Sequence, residues 1–305
     1  MAGGIITTGA HPKALWPGVH AFWGQIYAEH ATEYTDLFDQ LESGQSYEED
    51  VQVTGFGLAS VKPEGDSVSY DSEIQGPVQR YTHIAYALGY KVTYEEMKDN
   101  LYEVISMRRA KANAFSIQQT IENIAAAVYN DAFTGNVFTF ATGATLCSTS
   151  QINATGGTYS NALSPADLSE AALEDICIQA MGLQTDRQLY VSIMPMSLHV
   201  ARQQWFNANR ILKSVLSSDN SNNALNVLKA TNAFPNGIKL NHYFTLPNAW
   251  FVRTNCLNGM QQFWRDRPEF STDNEFDTKN AAAATYFRCS VGATDPRSIL
   301  GSNGP

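Results

Sequence analysis

From Met97 to Val128 apolar side chains recur in steps of three and four, at Met97, Leu101, Val104, Met107, Ala110, Ala114, Ile117, Ile121, Ile124 and Val128, and no Pro or Gly interrupts them before Gly135. That spacing places them on one stripe of an α-helix. Thr93 and Glu96 stand just before the stripe as T-x-x-E, a capping box in which each side chain can satisfy a backbone N–H at a helix start. The sequence therefore predicts a spine helix beginning at Tyr94 and running over 94–133. At about 1.5 Å per residue such a helix spans about 60 Å, whereas a compact chain of this length is about 50 Å across. An elongated or flattened molecule follows, unless the helix breaks near Asn113 to Ser116.

The segments on either side suggest a mixed α+β chain. Residues 1–41, rich in Gly, Pro and Trp, show little core of their own and read as an N-terminal arm with a short helix around His30 to Leu41. Val51 and Val53, the turn sequence Lys62-Pro63-Glu64-Gly65-Asp66, and then Val68 and Tyr70 predict an extended β-hairpin loop within 42–80. A two-stranded hairpin is marginal alone in water, so one this polar is expected to lean on another surface, such as a second subunit. The alternation Ile84, Tyr86, Leu88, Tyr90, Val92 predicts the strand that leads into the spine helix. Together with that helix, residues 81–163 form an expected peripheral domain.

An axial domain is expected over 164–255. Ser164-Pro165-Ala166-Asp167 offers an N-cap, a proline at the first helical position and an acid in the first turn, for a helix ending at Met181 before Gly182. A strand near Gln188 to Ile193, a helix from Met196 to about Asn207, and strands near Lys239 to Phe244 and Trp250 to Thr254 complete it. Residues 256–305 return as strands near Met260 to Arg265 and Ala284 to Gly292 and end in a tail.

Charge narrows the function. The chain carries a net charge of -10, with charged residues at only 16% and aromatics at 11%. This argues against a broad phosphate-gripping face and for much surface that meets protein. The imbalance is local: residues 29–73 hold twelve acids and one base, leaving a net charge of +1 elsewhere. Cys147, Cys177, Cys256 and Cys289 lie far apart with no C-x-x-C pair, and read as reduced core residues. The first ten residues lack a signal-peptide pattern and no stretch approaches a membrane span, so neither secretion nor membrane insertion is expected and the Asn153-Ala154-Thr155 sequon reads as chance.

The order arm, hairpin loop, spine helix, mixed axial domain, return strands resembles the Hong Kong 97-type major capsid fold of tailed bacteriophages. The peptides Leu146-Cys147-Ser148-Thr149-Ser150-Gln151, Gly156-Gly157-Thr158-Tyr159-Ser160-Asn161 and Leu168-Ser169-Glu170-Ala171-Ala172-Leu173 are similar to a segment common after the spine helix in such proteins, with Cys147 where an aromatic and Gln151 where a His is common. The resemblance implies a non-enzymatic virion subunit that needs no cofactor or metal. It would assemble in the host cytoplasm as pentamers and hexamers into an icosahedral shell around double-stranded DNA, without sequence-specific binding or membrane contact. Expected partners are further copies of itself, a separate scaffolding protein, a portal and decoration proteins. An encapsulin-like compartment enclosing cargo is the alternative, and an enzyme with a site built from scattered residues a more distant one.

The chemical motifs are weak. Gly55-Phe56-Gly57-Leu58-Ala59-Ser60 lacks the third glycine and the following helix of a dinucleotide site, and P-loop, H-E-x-x-H and G-x-S-x-G motifs are absent. Some relatives weld subunits through a Lys–Asn isopeptide bond. Lys62 sits at the hairpin turn, but no partner Asn or acid can be matched to it, and a solvated turn lysine is the preferred reading. His199 with Arg202 beside Trp205 reads as a helix face packed on the core. Glu48, Glu49 and Asp50 form an acidic edge that would coordinate a cation poorly, and Arg108, Arg109 and Lys111 a basic patch on the spine. These two patches, together with Lys62 at the hairpin turn, are the expected inter-subunit contacts, Glu48, Glu49 or Asp50 docking near Arg108, Arg109 or Lys111 of a neighbour.

Overall fold

The computed structural model describes residues 31–99, 103–216 and 225–304, the side chains of 97–99 and 103–108 excepted. The elements run α1 (Tyr34–Leu37), β1 (Asp39–Glu42), β2 (Tyr47–Val53), β3 (Gln75–Thr82), β4 (Ile84–Val92), α2 (Tyr94–Asp99), α3 (Glu103–Asn130), β5 (Gln151–Ile152) and β6 (Thr158–Tyr159). They continue with α4 (Glu170–Met181), β7 (Pro195–Ala201), α5 (Trp205–Lys213), α6 (Val227–Ala230), β8 (Ile238–Asn241), β9 (Trp250–Thr254), β10 (Met260–Asn274), β11 (Ala281–Ala293) and β12 (Ile299–Ser302). The fold is α+β.

Thr93 opens the helical segment as expected, its Oγ1 accepting from the Glu96 N–H at 3.4 Å. Helix α3 then runs 28 residues, about 42 Å, straight through Asn113 to Ser116. Ser116 and Thr120 donate their hydroxyls to carbonyls four residues back, at Ala112 and Ser116, so their polarity stays within the helix. Whether α2 and α3 are one helix depends on residues 100–102, which lie outside the described residues. At the far end the Asp131 carboxylate accepts the N–H groups of Val137 and Phe138, and Gly135 turns the chain at φ +76°, where a side chain would strain the backbone.

The α3 stripe serves two layers in turn. Ile117 and Ile121 pack on Trp264, Phe287 and Cys289 of a four-stranded sheet ordered β1-β10-β11-β4. Ala125, Ala126, Val128 and Tyr129 then enter a core shared with Phe38, Phe244, Phe251 and Ile299. The small alanines let backbones approach, and each large side chain buried here contributes about 1.5–3 kcal/mol. The alanine run at 281–284 pairs with β4, where a Cβ at Gly89 would meet the Ala283 carbonyl oxygen at 2.9 Å.

A second sheet, ordered β12-β9-β7-β8, is covered on both faces. Leu198 and Val200 of β7 join Leu173, Ile176, Ala208, Ile211, Trp250 and Val252 under α4 and α5. On the other face Ala201 packs beside Tyr129 and Phe251, and the His199 ring lies 6.1 Å from that of Tyr129.

Several expectations are corrected here. The helix predicted from Met196 to Asn207 is the strand β7, followed by α5; both faces of β7 are buried, and the alternation of Met196, Leu198 and Val200 with Ser197 and His199 is too short to outweigh the helical pattern that follows. The strand predicted near Gln188 to Ile193 is irregular chain that follows a turn closed at Gln188, φ 60°, with only Tyr190 bridged, to Gln184. The cap of α4 is Ser169, whose Oγ accepts from the Ala172 N–H at 3.2 Å, and Ser164 lies outside the helix. The helix predicted from His30 to Leu41 shrinks to the four residues of α1, because Asp39 to Glu42 pair in parallel with β10; His30 lies outside the described residues. Val68 and Tyr70 are not in a strand, and the partner of β2 is β3.

Asn161 locks these parts together from a fully buried position. Its Oδ1 accepts from the Ser148 N–H at 2.8 Å and from Gln151 Nε2 at 3.0 Å. Its Nδ2 donates to the carbonyls of Leu146, Pro296 and Ile299 at 2.8, 3.0 and 3.1 Å. Replacing it by leucine strands buried donors and acceptors in three segments, and Asn161→Leu is expected to destabilise the subunit by about 3 kcal/mol or more. A denaturation midpoint equal to the wild type's would show that the amide is dispensable.

Candidate assembly interface

The β2–β3 hairpin is firmly rooted and its loop is not. At the root, Tyr81 is buried with its ring 4.9 Å from that of Phe263, and its hydroxyl lies 2.7 Å from Thr294 Oγ1. The same Thr294 hydroxyl donates to Asp50 at 2.7 Å, and Gln52 Nε2 donates to Asp186 at 3.0 Å. Arg187 reaches across from the turn after α4 and donates to the carbonyls of Gly55 at 3.2 Å and Ser72 at 2.5 Å.

Beyond these ties residues 55–74 run without strand pairing. They hold together through the Gly57 N–H to Asp71 at 2.8 Å and the Ser60 and Ser69 hydroxyls at 2.7 Å. Backbone N–H groups of Gly57 and Ser72 hold the Asp71 carboxyl below the usual carboxylate range. Apolar side chains project into solvent here, with Leu58 at 87%, Val61 at 92% and Tyr70 at 94% exposure.

The sequence-predicted contact residues are dispersed. Glu48 accepts from Ser43 Oγ at 2.6 Å, Asp50 is tied to Thr294 as above, and the exposed Glu49 lies 3.9 Å from Arg80. Lys62 is exposed at the loop turn. Arg109 is held within the chain by Glu96, 2.5 Å away and almost fully buried, a partner thirteen residues back and so beyond the reach of an i,i+4 pair on one helix. Lys111 is exposed without an ion pair among the described residues, and the Arg108 side chain lies outside the described residues. Among the described residues no ion pair joins Glu48, Glu49 or Asp50 to Arg109 or Lys111. The sequon residues are engaged internally, Asn153 with Arg297 and Thr155 with the Asp186 carbonyl. Arg187 was not legible as a loop anchor, since its partners lie more than a hundred residues away.

A groove of about 630 Å³ lies between the hairpin root and the second sheet, lined by Gln52, Asp186, Cys256, Asp295 and Arg297 among others. Arg297 is fully engaged there, with Asp186 at 2.6 Å and Asp295 at 3.3 Å. Burial, then Asp295, pushes the Cys256 thiol up, the opposite of an activated nucleophile. Cys147, Cys177 and Cys289 are buried and unpaired, as the sequence predicts. Near the root of the arm a buried carboxylate, Glu122, accepts from the Glu33 N–H at 2.9 Å; burial and then the nearby Glu33 charge raise its pKa.

Comparison with known proteins places this arrangement. A sequence model described as phage capsid protein matches residues 77–301. No curated protein gives a significant match. Among solved structures, the mature capsid of bacteriophage PhiM1 is similar with a TM-score of 0.57 at 8% identity, covering 93% of this chain and 91% of that one. The capsid of cyanophage P-SCSP1u is similar with a TM-score of 0.56 at 9% identity, covering 95% and 93%. A virus-like particle from Pyrococcus furiosus gives a TM-score of 0.50 at 11% identity, covering 88% and 90%. What these structures share with the chain is the fold.

His199 provides a test of the buried core behind this surface. Its Nε2 lies 2.8 Å from Ser197 Oγ, and burial followed by the Arg253 and Lys239 charges lowers its pKa to about 3. The unfolded chain, with an ordinary His near 6.5, binds this proton first, so stability is complete above that pH and falls as pH drops toward 3. The His199 ring resonance is expected to show no titration between pH 8 and 5 in the folded subunit. A midpoint near 6.5 would refute its burial.

Proposed function

This chain belongs to the phage capsid protein family, and from that premise we propose that it closes into an icosahedral shell around double-stranded DNA. It is a structural subunit of the virion that assembles in many copies. The observation that carries the proposal is the hairpin loop, whose root is fixed by buried contacts while Leu58, Val61 and Tyr70 stand in solvent. An apolar surface displayed on an anchored element is what a partner subunit covers. We read the chain as non-catalytic, and read scaffolding protein, portal and decoration proteins as its separate partners during assembly in the host cytoplasm. The division into arm, hairpin loop, peripheral domain, axial domain and return strands follows the same reading. A cargo-enclosing compartment is the second reading, since the fold is shared with a virus-like particle as well as with phage capsids; particles containing a cargo enzyme in place of genomic DNA would favour it.

Charge is proposed to set the register of the hairpin on its neighbour. Of the acidic edge and the basic patch, Glu49 and Lys111 are the described residues the subunit leaves most exposed, since Arg109 is committed to Glu96 and Asp50 to Thr294. One exposed pair is worth about 0–1 kcal/mol, and its repetition over a shell multiplies it.

Light scattering and electron microscopy of the purified chain, with scaffolding protein supplied, test both levels. Closed particles are expected, and persistent monomers at high concentration would sink the shell reading. Assembly is expected to weaken between 0.1 M and 1 M salt, where the Debye length falls from about 10 Å to about 3 Å. Lys111→Glu is expected to impair assembly and Glu49→Lys to restore it partly in the double variant. Normal assembly of Lys111→Glu at low salt would remove this pair from the interface.

A further inference from the structure

The second sheet carries two helices of opposite charge on one face, and among the described residues no ion pair engages Glu174 and Asp175 of the one or Arg202, Arg210 and Lys213 of the other. From 112 to 186 there is no Lys or Arg, while residues 188–265 hold seven of them and a single acid, Asp219. Helix α4 belongs to the first stretch and α5 to the second. Both bury apolar residues in the same core, α4 through Leu173 and Ile176, α5 through Ala208 and Ile211. α4 packs against β12 and β7, whereas α5 packs against β7 and β8. Since β12 and β8 are opposite edges of the sheet, the helices are displaced toward opposite ends of one layer.

Their outward faces complement each other. On α4, Glu174, Asp175, Ile178 and Met181 are exposed, Ile178 by 64%. On and just before α5, Arg202, Phe206, Arg210 and Lys213 are exposed at helical spacing, Phe206 by 77%. None of the charged members has an ion-pair partner among the described residues. Lys229, whose ammonium donates to the Lys213 carbonyl at 2.7 Å, adds a further positive charge at the end of α5.

We infer that the α5 face of one copy docks on the α4 face of the next. Two different patches at opposite ends of one layer make a heterologous, head-to-tail contact, the kind that closes into rings. Phe206 would cover Ile178 and Met181, while Arg202, Arg210 and Lys213 face Glu174 and Asp175. Like faces cannot pair, because acid would meet acid, so the charges also fix the direction of the ring. This inference rests on the shell reading and adds to it the surfaces that join neighbours.

Two variants test it: Arg202→Glu with Arg210→Glu and Lys213→Glu, which leaves both faces acidic, and Glu174→Lys with Asp175→Lys, which leaves both basic. Circular dichroism and thermal melting first establish that each variant folds as the wild type does. Each alone is expected to lose assembly by light scattering. Mixed in equal amounts, acidic and basic copies can alternate, so scattering is expected to recover above either variant alone, in even-membered rings. Normal assembly of either variant, or no recovery on mixing, overturns the inference. An α5 variant that assembles normally but no longer retains DNA overturns it in favour of a phosphate-binding α5. Wild-type chain that forms no particles would sink the shell reading and this contact with it, whereas wild-type assembly with indifferent variants sinks this contact alone.

Discussion

Tyr129, near the end of α3, is the point on which the two sheets and the root of the arm converge. It is fully buried, and its hydroxyl donates to the Leu37 carbonyl at 3.0 Å. Burial raises its pKa, which keeps that donor protonated at any working pH. Its ring stacks on Phe244 at 5.4 Å and meets Phe251 and Phe38 edge-on at 5.3 and 5.8 Å. Each such aromatic pair adds about 0.5–1.5 kcal/mol beyond its buried area. The position of the spine relative to the second sheet therefore rests on one aromatic cluster, while Ile117 and Ile121 fix the same helix to the first sheet.

Polar contacts then choose one arrangement among those the apolar core would tolerate. Asn161 ties the segment after the spine to the chain's last strand, and Arg297 does the same for the hairpin root through Asp186, which also receives Gln52. Both groups are buried, so any shift of one segment past another would strand donors and acceptors out of water. This is how a loop with few contacts of its own can be held at a defined place.

Much of this was legible because it is local. Thr93, the stripe from Met97 and the alternation from Ile84 each announce an element within a few residues, and β4, the start of the helical segment and β9 fall where the pattern puts them. The errors come from tertiary context. Strand β7 has no exposed face because α3 covers one side and α4 and α5 the other, and the short alternation of Leu198 and Val200 with Ser197 and His199 is overridden by the helical pattern after it. Strand β12 is specified by pairing with the distant β9, and the long distal half of β10, paired with the adjacent β11, is polar and exposed and so carries no alternating signal. The same limit applied to the site. Acidic and basic clusters were visible as composition, but Arg109 was already spent on Glu96, and the partners of Arg187 and Asp50 could be known only from the folded chain.

The acidity of residues 29–73 divides into two physical roles once those partners are known. Near the arm's root, Asp36 meets Lys239 at 2.8 Å, Asp39 meets Arg253 at 3.1 Å and Glu42 meets Arg267 at 3.0 Å, each joining the arm to the body of its own chain. Every such pair is partly exposed and individually weak, but three in succession along α1 and β1 align the arm with β8, β9 and β10. In the loop the balance reverses. Glu64 and Asp66 face solvent beside Val61 and Val68, with only Lys62 of opposite sign nearby. Asp71 is held at the loop's base, 3.8 Å from Arg187, but a tip whose charges and apolar groups are turned to solvent gains little from its own fold, so its ordering free energy has to come from whatever it docks against. Weakness of the loop within one copy is thus the condition for strength between copies: contacts not made inside the subunit remain available, at every repeat, to the shell.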